Sequence, residues 1–117
     1  MRVLFLLVVA SLVPAGTAQV ADLAALDARA TMHTMAGDYV SAIGAIREMM
    51  AAADPARRAE LELRLARNQS WAGQSGQAVR TYEAYLERWP QDRAAATELI
   101  RLLRYRGDYT KAEALCD

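Results

Sequence analysis

The side chains that could do chemistry in this chain are few and scattered. His33 is the only histidine and Cys116 the only cysteine. A zinc site needs three or four ligands of the His, Cys or carboxylate kind, and no second histidine or neighbouring cysteine is there to join His33. A catalytic thiol needs a base oriented by a third group, and His33 is too far along the chain to serve Cys116. His33 therefore reads as a packing or partly exposed residue. Cys116 reads as a small apolar residue of the last helix, with an exposed thiol that pairs with another chain as the second reading. Gly73 and Gly76 form a turn and lack the Walker or dinucleotide pattern. The carboxylates are spread along the chain with no acid–base pair. No catalytic residue, metal site or cofactor is expected, so an enzyme is not expected either. Two pairs have a different character. Arg67 and Trp71 are four residues apart, as are Arg101 and Tyr105, so each pair shares one face of a helix. A guanidinium forks onto carboxylates and an aromatic ring supplies apolar area, which together make a recognition surface.

The elements that hold these residues are predicted to be helices. Alanine, leucine and arginine dominate, and all favour helix. Beyond residue 18 there is no phenylalanine, and Pro55 and Pro90 are the only prolines. The 14 basic and 14 acidic side chains balance, which argues against a nucleic-acid binder. Tyr39, Ala42, Ile43, Ile46, Met49 and Met50 recur in steps that place one stripe on one helix face. Ala78, Val79, Tyr82, Tyr85, Leu86 and Trp89 do the same. Glycines at 37, 73 and 107 break these patterns at intervals of 36 and then 34 residues, each followed five residues later by Ala42, Ala78 or Ala112. A glycine takes the left-handed backbone that ends a helix without steric cost. The alanines fall where two helices cross. Asp54-Pro55 and Trp89-Pro90 separate one pair of helices from the next. The expected helices are 20–35, 38–52, 56–71, 75–88, 92–105 and 108–117.

This arrangement resembles the tetratricopeptide repeat family, whose unit of about 34 residues is a pair of antiparallel helices. Leu65, Ala66, Ala78, Tyr82 and Pro90 fall in register in a middle unit over about 59–92. Leu26, Ala30, Ala42 and Ile46 do so in a first unit over about 23–56. Leu99, Leu103 and Ala112 do so in a third that starts at about 93 and stops at 117. Departures fall at Arg29, His33, Glu62 and Gln69, where large apolar residues are usual. The resemblance implies an all-α fold: a short right-handed α-solenoid of about 2.5 repeats, packed through Ala30, Ala42, Ala66, Ala78, Tyr82, Leu99, Leu103 and Ala112. It implies that the first helix of each pair lines a concave groove. Arg67, Ser70, Trp71, Arg101, Arg104 and Tyr105 would bind a protein or peptide there, with Thr97 beside them and Asp27, Thr31, Thr34 and Met35 from the first unit. The family's carboxylate clamp uses lysine and asparagine where this chain has Asp27, Thr31, Arg64, Ala94 and Glu98, so that subtype is not expected. The implied function is a non-catalytic scaffold or adaptor of the cell envelope. A repeat region related to outer-membrane exopolysaccharide-export proteins and an accessory subunit of an envelope enzyme are the alternatives. Residues 108–117 are expected to fray in the monomer or to be covered by a partner or a second copy, because so short a helix is marginal alone.

Residues 1–18 read differently. Arg2 precedes an apolar run of 11 residues, Val3 to Val13, and then Pro14 and the small residues Gly16 and Ala18. This is the layout of a secretory signal peptide, and the run is too short for a span of about 20 apolar residues. The mature domain would be 19–117, bacterial and periplasmic or secreted, with no membrane span left after cleavage. We predict cleavage after Ala18, so mass spectrometry of the exported protein should give Gln19 at the N-terminus; an intact Met1 would contradict it.

Overall fold

A computed structural model of the protein describes residues 15–116, with side chains from Asp22 onward. All of its regular structure there is helical: α1 (Ala15–Met35), α2 (Tyr39–Ala52), α3 (Pro55–Trp71), α4 (Ser75–Arg88), α5 (Arg93–Arg106) and α6 (Tyr109–Cys116). The leader expected over 1–18 lies outside the described residues up to Pro14. From Ala15 the first helix continues through Ala18 and Gln19, so it begins earlier than the expected residue 20.

Helix starts and stops follow local chemistry. Asp38, Asp54 and Asp92 cap α2, α3 and α5, their carboxylates accepting from the amides of Ser41, Arg57 and Ala95. Pro55 occupies the first turn of α3, where its missing amide hydrogen costs nothing. Gly37, Gly73 and Gly107 take positive φ of 80°, 82° and 84°. At each, the glycine amide donates three residues back and the next amide five residues back. Gly37 and Asp38 donate to Thr34 and His33, Gly73 and Gln74 to Ser70 and Gln69, and Gly107 and Asp108 to Arg104 and Leu103. This is the same helix-ending turn made three times.

Each helix packs on the next in the chain. The apolar interior falls into two clusters. The first holds Ala30, Ile43, Ala45, Ile46, Met49, Leu61 and Leu65. The second holds Ala66, Ala78, Val79, Tyr82, Leu99, Leu102, Leu103 and Ala112. Helix α3 contributes to both, and its other buried positions, Glu62, Asn68 and Gln69, are polar. Two of these are departures noted from the repeat pattern, and each has a partner. Thr81 donates to Gln69 Oε1 at 2.7 Å, and Arg88 pairs with Glu62. On α6 Ala112 is buried against the second cluster, whereas Tyr109 and Leu115 are exposed by 63% and 39% and Cys116 is exposed too.

Ala42 and Ala78 are both fully buried. We predict that Ala78→Leu overpacks the crossing of α3, α4 and α5 and lowers stability by about 1–3 kcal/mol. Thermal unfolding indistinguishable from the parent would refute this.

Candidate functional site

Arg67, Ser70, Trp71, Arg101 and Tyr105 line one open groove of about 1250 Å³, together with Thr97, Glu98, Ala94, Leu102, Tyr82, Gly73 and Ser75. Helices α3 and α5 form its walls and α4 closes one side. Arg104 is exposed but does not line it. At about 100° per residue, Arg104 lies some 60° round α5 from Arg101, on the flank opposite Glu98 and Leu102. Of the first-unit residues, Thr31 and Met35 are exposed, Asp27 is drawn into ion pairs, and Thr34 is half-buried with Oγ1 2.9 Å from Asn68 Oδ1. The structure does not bring these four into the groove.

The groove is organised by one polar cluster. Arg67 donates from Nε to Glu98 Oε1 at 2.7 Å and from Nη2 to Glu98 Oε2 at 2.9 Å. Tyr82 donates from its hydroxyl to the same Oε1 at 3.0 Å. The guanidinium expected to meet a partner's carboxylate therefore already holds a carboxylate of its own chain. The two-pronged bond holds the Glu98 carboxyl below its ordinary value, with the Tyr82 bond adding to it, and raises Arg67 further. Burial, and then the bond to Glu98, pushes the Tyr82 phenol well above its usual range, so it remains a neutral donor. Glu98 itself was legible only as a position where a carboxylate clamp would place something else. A charge opposite to Arg67 on the first helix of the next unit was the available signal.

The same substitution of purpose occurs one unit earlier. Arg64 donates to Asp27 at 2.6 Å, and Arg57 reaches the other oxygen of Asp27 at 3.5 Å. So Asp27 ties α1 to α3 as Glu98 ties α5 to α3.

What remains free in the groove is amphipathic. Trp71 is 54% exposed, neither in the core nor loose: its ring lies 5.6 Å from that of Tyr39, tilted by 44°. Tyr105 is 87% exposed, and Arg101, one turn before it, is also exposed and makes no ion pair among the described residues. Ser70 adds a hydroxyl, whereas that of Thr97 donates to the Arg93 carbonyl at 2.8 Å. His33 sits apart, its Nδ1 3.5 Å from Asp38 Oδ2. Among the described residues no group of three or more His, Cys, Asp and Glu could hold a metal, and no helix is long and apolar enough to cross a membrane. A search of known protein families, curated proteins and solved structures returned no match to this chain.

The sign of the pH effect follows from Glu98. Its pKa in the folded state lies below the ordinary 4.5, so its links contribute stability above that pH and lose it as pH falls through the folded value. We predict that the urea midpoint drops as pH is lowered below 4.5 and that Glu98→Gln shows a shallower acid limb. Parallel acid limbs for variant and parent would show that the fork contributes nothing to the folded state.

Proposed function

We propose that the chain is a non-catalytic binding module of the tetratricopeptide kind: two full helix pairs and a shorter third, wound as a right-handed solenoid. In this reading it works as a scaffold or adaptor in the bacterial cell envelope after loss of a leader over residues 1–18. The partner is a protein or peptide segment lying in the groove between α3 and α5. The observation that supports it is the convergence of five side chains from two helices, Arg67, Ser70, Trp71, Arg101 and Tyr105, on one groove. The repeated turns at Gly37, Gly73 and Gly107 support the repeat reading, since each pair of helices closes in the same way.

The free groups define what the groove takes. Arg67 is occupied by Glu98, which leaves Arg101 as the cation that a ligand meets. Trp71 and Tyr105, both exposed, line the same groove. An aromatic side chain next to an aspartate or glutamate fits that set, the ring against Trp71 or Tyr105 and the carboxylate on the Arg101 fork.

A random peptide library selected on the mature chain tests this. Enriched sequences should place an aromatic residue beside an acidic one. Arg101→Ala and Trp71→Ala should each weaken the selected peptides by about tenfold, with helicity unchanged. Peptides that bind both variants as well as the parent would remove the groove from consideration.

A further inference from the structure

The turns at Gly37, Gly73 and Gly107 share one edge of the molecule, because consecutive helices pack on one another and alternate in direction. Two contacts show that the turns lie side by side there. The Tyr39 ring, just after the first turn, is 5.6 Å from that of Trp71, just before the second. Ser75, just after the second, accepts from Arg106 Nη1, just before the third, at 2.7 Å.

Exposed apolar side chains collect on this edge. Of the eight large ones among the described residues, six lie within five residues of a turn glycine: Met32, Met35, Val40, Trp71, Tyr105 and Tyr109. Met35, Trp71 and Tyr105 each stand two residues before their glycine, so the row repeats with the helix pairs. Met35 and Tyr105 are 84% and 87% exposed, so they stand clear of the surface and do not pack into a flat patch. The charges within the same reach of the turns are uneven. Both carboxylates are engaged: Asp38 accepts from the Ser41 amide and lies 3.5 Å from His33, and Asp108 lies 3.5 Å from Arg106. Arg104 and Lys111 are exposed and make no ion pair among the described residues.

We propose that this edge docks on the surface of an anionic lipid bilayer. The rings and thioethers enter the headgroup layer, and Arg104 and Lys111 meet lipid phosphates. Tryptophan and tyrosine suit that layer because each joins an apolar ring to a polar tip that stays wet. Side chains that project singly suit a bilayer, whose lipids fill in around each of them. A protein partner would need a continuous, close-packed patch to exclude water. The two unpaired cations give the edge its preference for negative headgroups. Met32, Met35, Val40, Arg104, Tyr109 and Lys111 line no part of the peptide groove, so this surface extends beyond it.

Co-sedimentation with vesicles of phosphatidylglycerol and phosphatidylethanolamine tests the proposal, with phosphatidylcholine vesicles as the second arm. The mature chain, residues 19–117, is used so that the apolar run 3–13 cannot itself enter lipid. It should bind the anionic vesicles, bind phosphatidylcholine weakly, and bind less as salt rises. Arg104→Ala should weaken binding about fivefold. The double change Met35→Ser and Tyr109→Ser should weaken it about tenfold, with helicity and peptide binding unchanged. In a Trp89→Phe background the emission of Trp71 should shift to the blue on the vesicles and be quenched by brominated lipid. Three results would each overturn the proposal: no binding to anionic vesicles, binding indifferent to the Met35 and Tyr109 changes, and quenching of Trp89 but not Trp71. So would a dimer in sedimentation equilibrium that the double change at Met35 and Tyr109 abolishes, since a second copy would then cover the edge.

Discussion

The groove depends on how Arg67 is held by Glu98. Consecutive helices pack through apolar side chains; α3 and α5 are not consecutive, and besides sharing the second apolar cluster they are joined by the fork from Arg67 to Glu98, reinforced by Tyr82. Both side chains are partly exposed, at 38% and 26%, so solvent screening limits what the link adds to stability. Its larger effect is geometric. A planar guanidinium bonded at two points fixes both distance and orientation, and so fixes where Trp71 stands relative to Arg101 and Tyr105. The cost is that Arg67 is withdrawn from recognition, and the groove is left with one unpaired guanidinium, that of Arg101, among its lining residues.

The same logic extends along the chain. Arg64 with Asp27 and Thr34 with Asn68 join α1 to α3 as Arg67 and Glu98 join α3 to α5. Apolar packing therefore builds each step from one helix to the next, and polar side chains set the relation between the first helices of successive pairs. Helix α3 bears both kinds of contact, which is why Glu62, Asn68 and Gln69 are buried on it beside Leu61, Leu65 and Ala66. Polar groups in such places need partners. Asn68 and Gln69 have them from Thr34, the Arg64 carbonyl and Thr81. Glu62 has one for only one of its oxygens, Arg88 on Oε1.

The helices were legible in the sequence because their boundaries are made by local chemistry. Proline, capping aspartate and turn glycine each act within a few residues of themselves, so α2 to α5 begin and end within one residue of expectation. The buried alanines were legible for a related reason: a small residue repeating at a fixed distance from a turn glycine marks a crossing. Partners across 31 or 37 residues were not legible. Periodicity assigns Arg67 to a face, but whether that face meets solvent or Glu98 depends on how far one helix pair rotates against the next, which no local pattern encodes. Trp71 was legible as part of a recognition face with Arg67, but not its contact with Tyr39 from the preceding pair, against which its ring is tilted. Glu62 and Gln69 were legible as misfits in the repeat but not as neighbours of Arg88 and Thr81.

The measurement that bears most directly on this account is a double-mutant cycle on Arg67 and Glu98, using Arg67→Ala, Glu98→Ala and the pair, read by urea unfolding at neutral pH. A fork that fixes α5 against α3 predicts a favourable coupling of about 0.5–1.5 kcal/mol, the upper end of a partly exposed bidentate pair. Additive effects of the two single changes would mean that the guanidinium is free in solution, and that the groove is neither held nor depleted of a cation as described.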